Sequence, residues 1–131
     1  MMKRWAVPVG LFCLAVIGSC SKDQANKQNC GSCPTVSFKA DIIPVFMQNC
    51  ALSGCHDAVT HEQNLDLDSA VAYVNATRSG TGWVKPSDPA NSILLSQLYA
   101  GSNNHMPVGG QLDDCTIQKV SCWISQGALN N

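Results

Sequence analysis

Cys50-Ala51-Leu52-Ser53-Gly54-Cys55-His56 decides the reading of this chain. Two cysteines followed at once by a histidine form the pattern of covalent haem attachment. Each thiol adds to a haem vinyl group, and the adjacent imidazole reaches the iron. The usual spacer between the cysteines is two residues; here it is four. Ser53 and Gly54 let the extra length loop out, while Cys55 and His56 stay adjacent and so keep the proximal ligand in place. The competing reading of the heptapeptide alone is a disulfide-bonded or metal-binding Cys/Cys/His cluster.

About fifty residues later comes His105-Met106-Pro107-Val108-Gly109-Gly110. A mono-haem electron carrier needs a sixth iron ligand from the opposite side, and a Met thioether is the choice that raises the reduction potential. Of the four methionines, Met1 and Met2 lie in a segment expected to be removed, and Met47 is too near the attachment loop to cross the haem plane. Met106 remains. Pro107 restricts the residue before it and Gly109-Gly110 frees those after, which suits a loop that delivers one side chain to a fixed point. A buried gap-filling Met fits poorly among Ser, Asn and Gly. His105 is the rival ligand; the ligand chemistry of cytochromes favours Met106.

Several further pieces fall in a fixed order. Ser37-Phe38, Asp41-Ile42, Pro44-Val45-Phe46 and Asn49-Cys50 lead into Gly54-Cys55-His56-Asp57. Pro86-Ser87-Asp88-Pro89, Asn91-Ser92, Met106-Pro107, Gly109-Gly110 and Cys122-Trp123-Ile124 with Gln126-Gly127-Ala128 follow. Over Ser37 to Asn131 the chain resembles the small c-type cytochrome domains of secreted and lipid-anchored bacterial proteins. The resemblance implies a small bundle of about four short helices around one haem c. It also implies that Cys50 and Cys55 attach the haem, with His56 the proximal and Met106 the distal ligand. Single-electron transfer is then expected, with redox proteins as partners, and a carrier rather than an enzyme. Two other functions stay open: a haem-based small-ligand sensor or oxidoreductase component with an open axial site, and a haem-free, disulfide-stabilised structural lipoprotein.

Lys3 and Arg4 precede an apolar run from Trp5 to Ile17 and then Gly18-Ser19-Cys20. This is the form of a secretory signal, too short to span a membrane, which takes about 20 apolar residues. Ile17-Gly18-Ser19-Cys20 is similar to a bacterial lipobox, which makes residues 1–19 a lipoprotein signal and Cys20 the acylated first residue. Residues 20–36 then read as a polar tether and 37–131 as the folded domain. An exported protein held to a bacterial membrane, facing the periplasm or cell surface, is expected. With Lys3 and Arg4 removed, six Lys and Arg side chains face nine acidic ones, a net charge of −3. No basic patch invites nucleic acid. Serine-elbow, phosphate-loop and His-Glu-x-x-His patterns are missing from the sequence.

Eight cysteines divide without remainder. Cys13 leaves with the signal, Cys20 takes lipid, and Cys50 and Cys55 take haem. Cys30, Cys33, Cys115 and Cys122 are left, and in an oxidising compartment an even remainder suggests two disulfides. Cys115 and Cys122 fall in an expected helix, where a seven-residue rise separates their Cα atoms by about 10 Å. A bridge needs less than about 7 Å. Cys30 and Cys33 are therefore each expected to pair with one C-terminal cysteine.

The coarse pattern is helical, with loops over Gly80 to Pro86 and Ser102 to Gln111. Ser37 caps a run carrying Phe38, Ile42, Val45 and Phe46, with a start or kink at Pro44. A second short helix is expected over Leu65 to Val74, with Leu67, Val71 and Val74 on one face and Asp66 or Asp68 as cap. Asp88 starts a third, with Ile93, Leu94, Leu95, Leu98 and Tyr99, stopped by Gly101. Asp113 or Asp114 starts the last, with Ile117, Val120, Trp123 and Ile124, stopped by Gly127. Trp83 and Trp123 read as packing residues, and Arg78 and Lys85 as candidate partners of a haem propionate.

Overall fold

The computed structural model describes residues 30–131; the expectations for residues 1–29, including lipidation at Cys20, lie outside the described residues. The first helical segment begins at Ser37 because the N–H groups at its start all find acceptors. Ser37 Oγ accepts from Ala40 N–H at 3.2 Å, and Asp41 Oδ2 accepts from Ser37 N–H at 2.9 Å. Phe38 and Lys39 N–H, which have no acceptor within the turn, donate to Asn131 Oδ1 and to the Asn131 carbonyl, at 2.8 and 3.0 Å. The segment opens as a wide π turn, Phe38–Ile42, and runs directly into helix α1, Ile43–Asn49. The winding changes between Ile42 and Ile43, just before Pro44, which has no N–H to continue the wider pattern.

Three further α-helices follow: α2, Ala72–Ala76; α3, Ile93–Leu98; and α4, Asp114–Ser125. Asp88 caps a 3-10 turn, Pro89–Asn91, that leads into α3. Asp113 caps α4, accepting from Thr116 N–H at 2.9 Å and from the Thr116 hydroxyl at 2.6 Å. Gly127, at φ +97°, ends α4 in the left-handed conformation that favours glycine. The described residues contain these four helices and no strand, so the all-α class holds.

The expected helix over Leu65 to Val74 is corrected to the short α2. Leu67 is buried outside any helix, its N–H bonded to the His56 carbonyl at 2.8 Å. Asp66 and Asp68 do not cap a helix; their side chains accept from Asp68 and Ala70 N–H two residues on, which turns the chain instead. Val74, expected inside, is 68 % exposed. In α3, Leu94, Leu95 and Leu98 are buried as expected, whereas Ile93 and Tyr99 face outward.

Ile42, Phe46, Val120, Trp123 and Ile124 form the driest part of the core. Each such side chain removed from water contributes about 1.5–3 kcal/mol. Phe38 ties them together, meeting Phe46 and Tyr73 edge-on with ring centroids 6.2 and 5.2 Å away, and lying 5.2 Å from Trp123. Trp123 spends its N–H on the Leu129 carbonyl, so its complete burial strands no donor.

Residues 30–36 run alongside α4 in the same direction. Cys30 is bridged to Cys115 and Cys33 to Cys122. Between and beyond the bridges, Gln118 donates to the Gly31 carbonyl, and Gln126 donates to the Pro34 carbonyl and accepts from Val36 N–H. Positions 115, 118, 122 and 126 recur every three or four residues and so form one stripe of the helix.

Candidate haem-attachment site

Helix α1 delivers Cys50 to the edge of the core. The Cys50 and Ala51 N–H groups both donate to the Phe46 carbonyl at 2.8 Å, which ends the helix. Cys50 packs against the core cluster. Burial, with a smaller contribution from the neighbouring Cys55, pushes its thiol up to about 11. Cys55 itself is exposed. The four-residue spacer is a loop: Cys55 N–H donates to the Leu52 carbonyl at 2.9 Å, and Gly54 sits at φ +83°. His56 N–H then returns to the Cys50 carbonyl at 3.1 Å. The longer spacer is thus folded outward, and Cys50 and His56 are held together by a direct main-chain bond.

The His56 ring is oriented by the following loop. Its Nδ1 lies 3.0 Å from the Leu65 carbonyl. A carbonyl only accepts, so Nδ1 carries the proton and Nε2 of the neutral ring keeps its lone pair. Leu65 and, two residues on, Leu67 are buried, which anchors this contact to the core. The connecting loop is tightly wound. Asp57 Oδ1 accepts from Thr60 N–H at 2.6 Å and from Val59 N–H at 3.2 Å, and these bonds, that to Thr60 foremost, hold its carboxyl below the usual range. His61, Gln63 and Asn64 adopt positive φ, which strains residues with a Cβ. Glu62 N–H pins the loop back to the Cys55 carbonyl at 2.9 Å.

Met106 comes from the loop after α3. Its N–H donates to the Gln97 carbonyl at 2.8 Å, and its side chain is half-buried against the core. Beside it, His105 Nε2 is buried and has no hydrogen-bond partner, and the same holds for Gln97 Oε1. Trp83 and Tyr73 also pack on the core cluster. Arg78 and Lys85 are exposed, and Arg78 donates to Asn75 Oδ1.

These features fit a haem held by two thioethers. Cys50 and Cys55 remain free thiols, whereas the other four described cysteines are bridged. A ligand-ready imidazole adjoins them, and a thioether lies against the same core. Among the described residues no three His, Cys, Asp or Glu side chains gather as a cage for a bare metal ion. Two contributors carried no signal in the sequence: the Leu65 and Gln97 carbonyls, since every residue has one.

A family model described as Planctomycete cytochrome C matches residues 53–107. The matched stretch includes Cys55, His56 and Met106 and begins just after Cys50; it supports a cytochrome c-like domain. No curated protein and no solved structure matches the chain.

Proposed function

We propose that this chain is a lipid-anchored, single-haem c-type cytochrome that passes single electrons in the periplasm or at the cell surface. Cys50 and Cys55 form the thioethers, each S–H adding across one vinyl group. His56 Nε2 is the proximal donor and Met106 Sδ the distal one. The observation that carries this reading is the His56 ring, held through Nδ1 by the Leu65 carbonyl next to two unbridged thiols. Bound haem supplies the one-electron change at iron. The protein's residues do the rest. Leu65 fixes the tautomer and orientation of the proximal ring. The apolar core beside Cys50 and the Met106 thioether favour the reduced state. Donors on both faces suit electron passage and disfavour binding of a small ligand.

Cys20 carries the lipid, and residues 21–29 give the domain reach from the membrane surface. More than one acyl chain makes such an anchor stable. Redox partners dock through a small, weak interface. The two disulfides also suit a haem-free structural lipoprotein, but that reading leaves the family match and the oriented His56 unexplained.

Expression in a host able to mature c-type cytochromes, followed by intact mass and a reduced-minus-oxidised spectrum, tests the proposal. The expected result is peptide mass plus one haem and acyl chains, with haem mapped to peptides containing Cys50 and Cys55. Colourless protein without the haem mass overturns it.

A further inference from the structure

We infer that His105 is a reserve distal ligand, able to take the place of Met106 on a haem iron; this rests on the haem reading above. His105 Nε2 is buried without a partner, a condition that folding disfavours because the lost water contact is not replaced. Nothing in the described fold relieves it, and Nε2 is an atom through which an imidazole binds metal. The adjacent residue is the thioether already placed for the distal position. Their Cα atoms are about 3.8 Å apart, so a shift of one residue in this loop exchanges one donor for the other.

The loop is built to permit such a shift. Gly101 and Gly109 sit at positive φ on either side of it, and Gly110 follows. Main-chain anchoring at its centre is the bond from Met106 N–H to the Gln97 carbonyl; Gly110 N–H bonds within the loop to the Pro107 carbonyl. Gln97 also holds the second buried, partnerless atom, Oε1. The exchange is balanced without further reactants: one iron–sulfur bond breaks and one iron–nitrogen bond forms. The exchange replaces one donor with another and needs no oxidant or reductant. Thioether ligation raises the potential and imidazole ligation lowers it, which gives one carrier two working levels.

The test uses the mature holoprotein and three variants, Met106→Ala, His105→Ala and the double substitution, each checked for attached haem by intact mass. Met106→Ala is expected to stay low-spin and six-coordinate at a lowered potential, while the double variant becomes high-spin and binds carbon monoxide rapidly when reduced. Met106→Ala turning high-spin and carbon-monoxide-reactive to the same degree as the double variant overturns the inference. His105→Ala retains Met106, so it is informative even where Met106→Ala folds poorly. Fast-scan voltammetry of the wild type is expected to show a second, lower-potential couple that His105→Ala abolishes; identical waves in the two proteins overturn the inference. A wild type that carries no haem sinks the cytochrome reading itself, before any variant is compared.

Discussion

At the residue scale, Cys50 couples attachment to stability. Its thiol is pushed from 9.0 to about 11 by burial, so the folded chain holds a proton that the unfolded chain releases first. Below about pH 9 the thiol is protonated in both states and the contribution is fully present. Between about pH 9 and 11 the unfolded state alone ionises, and stability falls by about 1.4 kcal/mol per pH unit. The haem-free chain is therefore expected to unfold at lower urea at pH 10.5 than at pH 8, with a smaller difference in Cys50→Ala. Equal pH dependence in the two chains would show that this thiol is not the source. A thioether has no proton to lose, so the proposed attachment at Cys50 would remove the penalty. The sequence offers Cys50, Cys55, His56 and Met106 as candidates because thiol, imidazole and thioether chemistry belong to residue types. It hides the Leu65 and Gln97 carbonyls, whose roles come from where the chain passes.

At the scale of elements, capping residues mark helix starts more faithfully than apolar spacing does. Ser37, Asp88 and Asp113 each accept a main-chain N–H three residues on, as their side-chain chemistry requires. The spacing of Leu67, Val71 and Val74 resembles a helix face, yet Leu67 is held outside the helix by its bond to His56. A contact with a residue eleven positions away overrides local periodicity, and α2 forms only after the chain has left the attachment site. Asp113 gives the clearest measurement. Its carboxyl is lowered by the Thr116 hydroxyl and then by the Thr116 N–H. A lowered carboxylate stabilises above its unfolded value and loses that contribution as pH falls through the folded one. Asp113→Ala is expected to cost about 1 kcal/mol near pH 7. The gap to the wild type should narrow below about pH 4, near the ordinary Asp value; a gap constant from pH 7 to 3 would separate the cap from the charge.

For the whole molecule, the decisive feature is that both bridges join the same two segments. Cys30–Cys115 and Cys33–Cys122 span 85 and 89 residues, and either alone closes a loop worth about 4–5 kcal/mol against the unfolded chain. Once one is closed, the other closes only a small ring, through residues 30–33 and 115–122, worth about 3 kcal/mol. The bridges are therefore partly redundant, and the first one lost matters less than the second. Replacing Cys30 and Cys115 by Ser, or Cys33 and Cys122 by Ser, is expected to cost about 3 kcal/mol each, and replacing all four about 7 kcal/mol. Urea unfolding of the haem-loaded domain at fixed pH measures all three. Additive losses would mean that the segment 30–36 keeps its place along α4 in the unfolded chain or is held there mainly by its hydrogen bonds to Gln118 and Gln126. The greater-than-additive loss follows if the bridges act by closing the chain, tying residues 30–36 to α4 beside the core around Phe38 and Trp123.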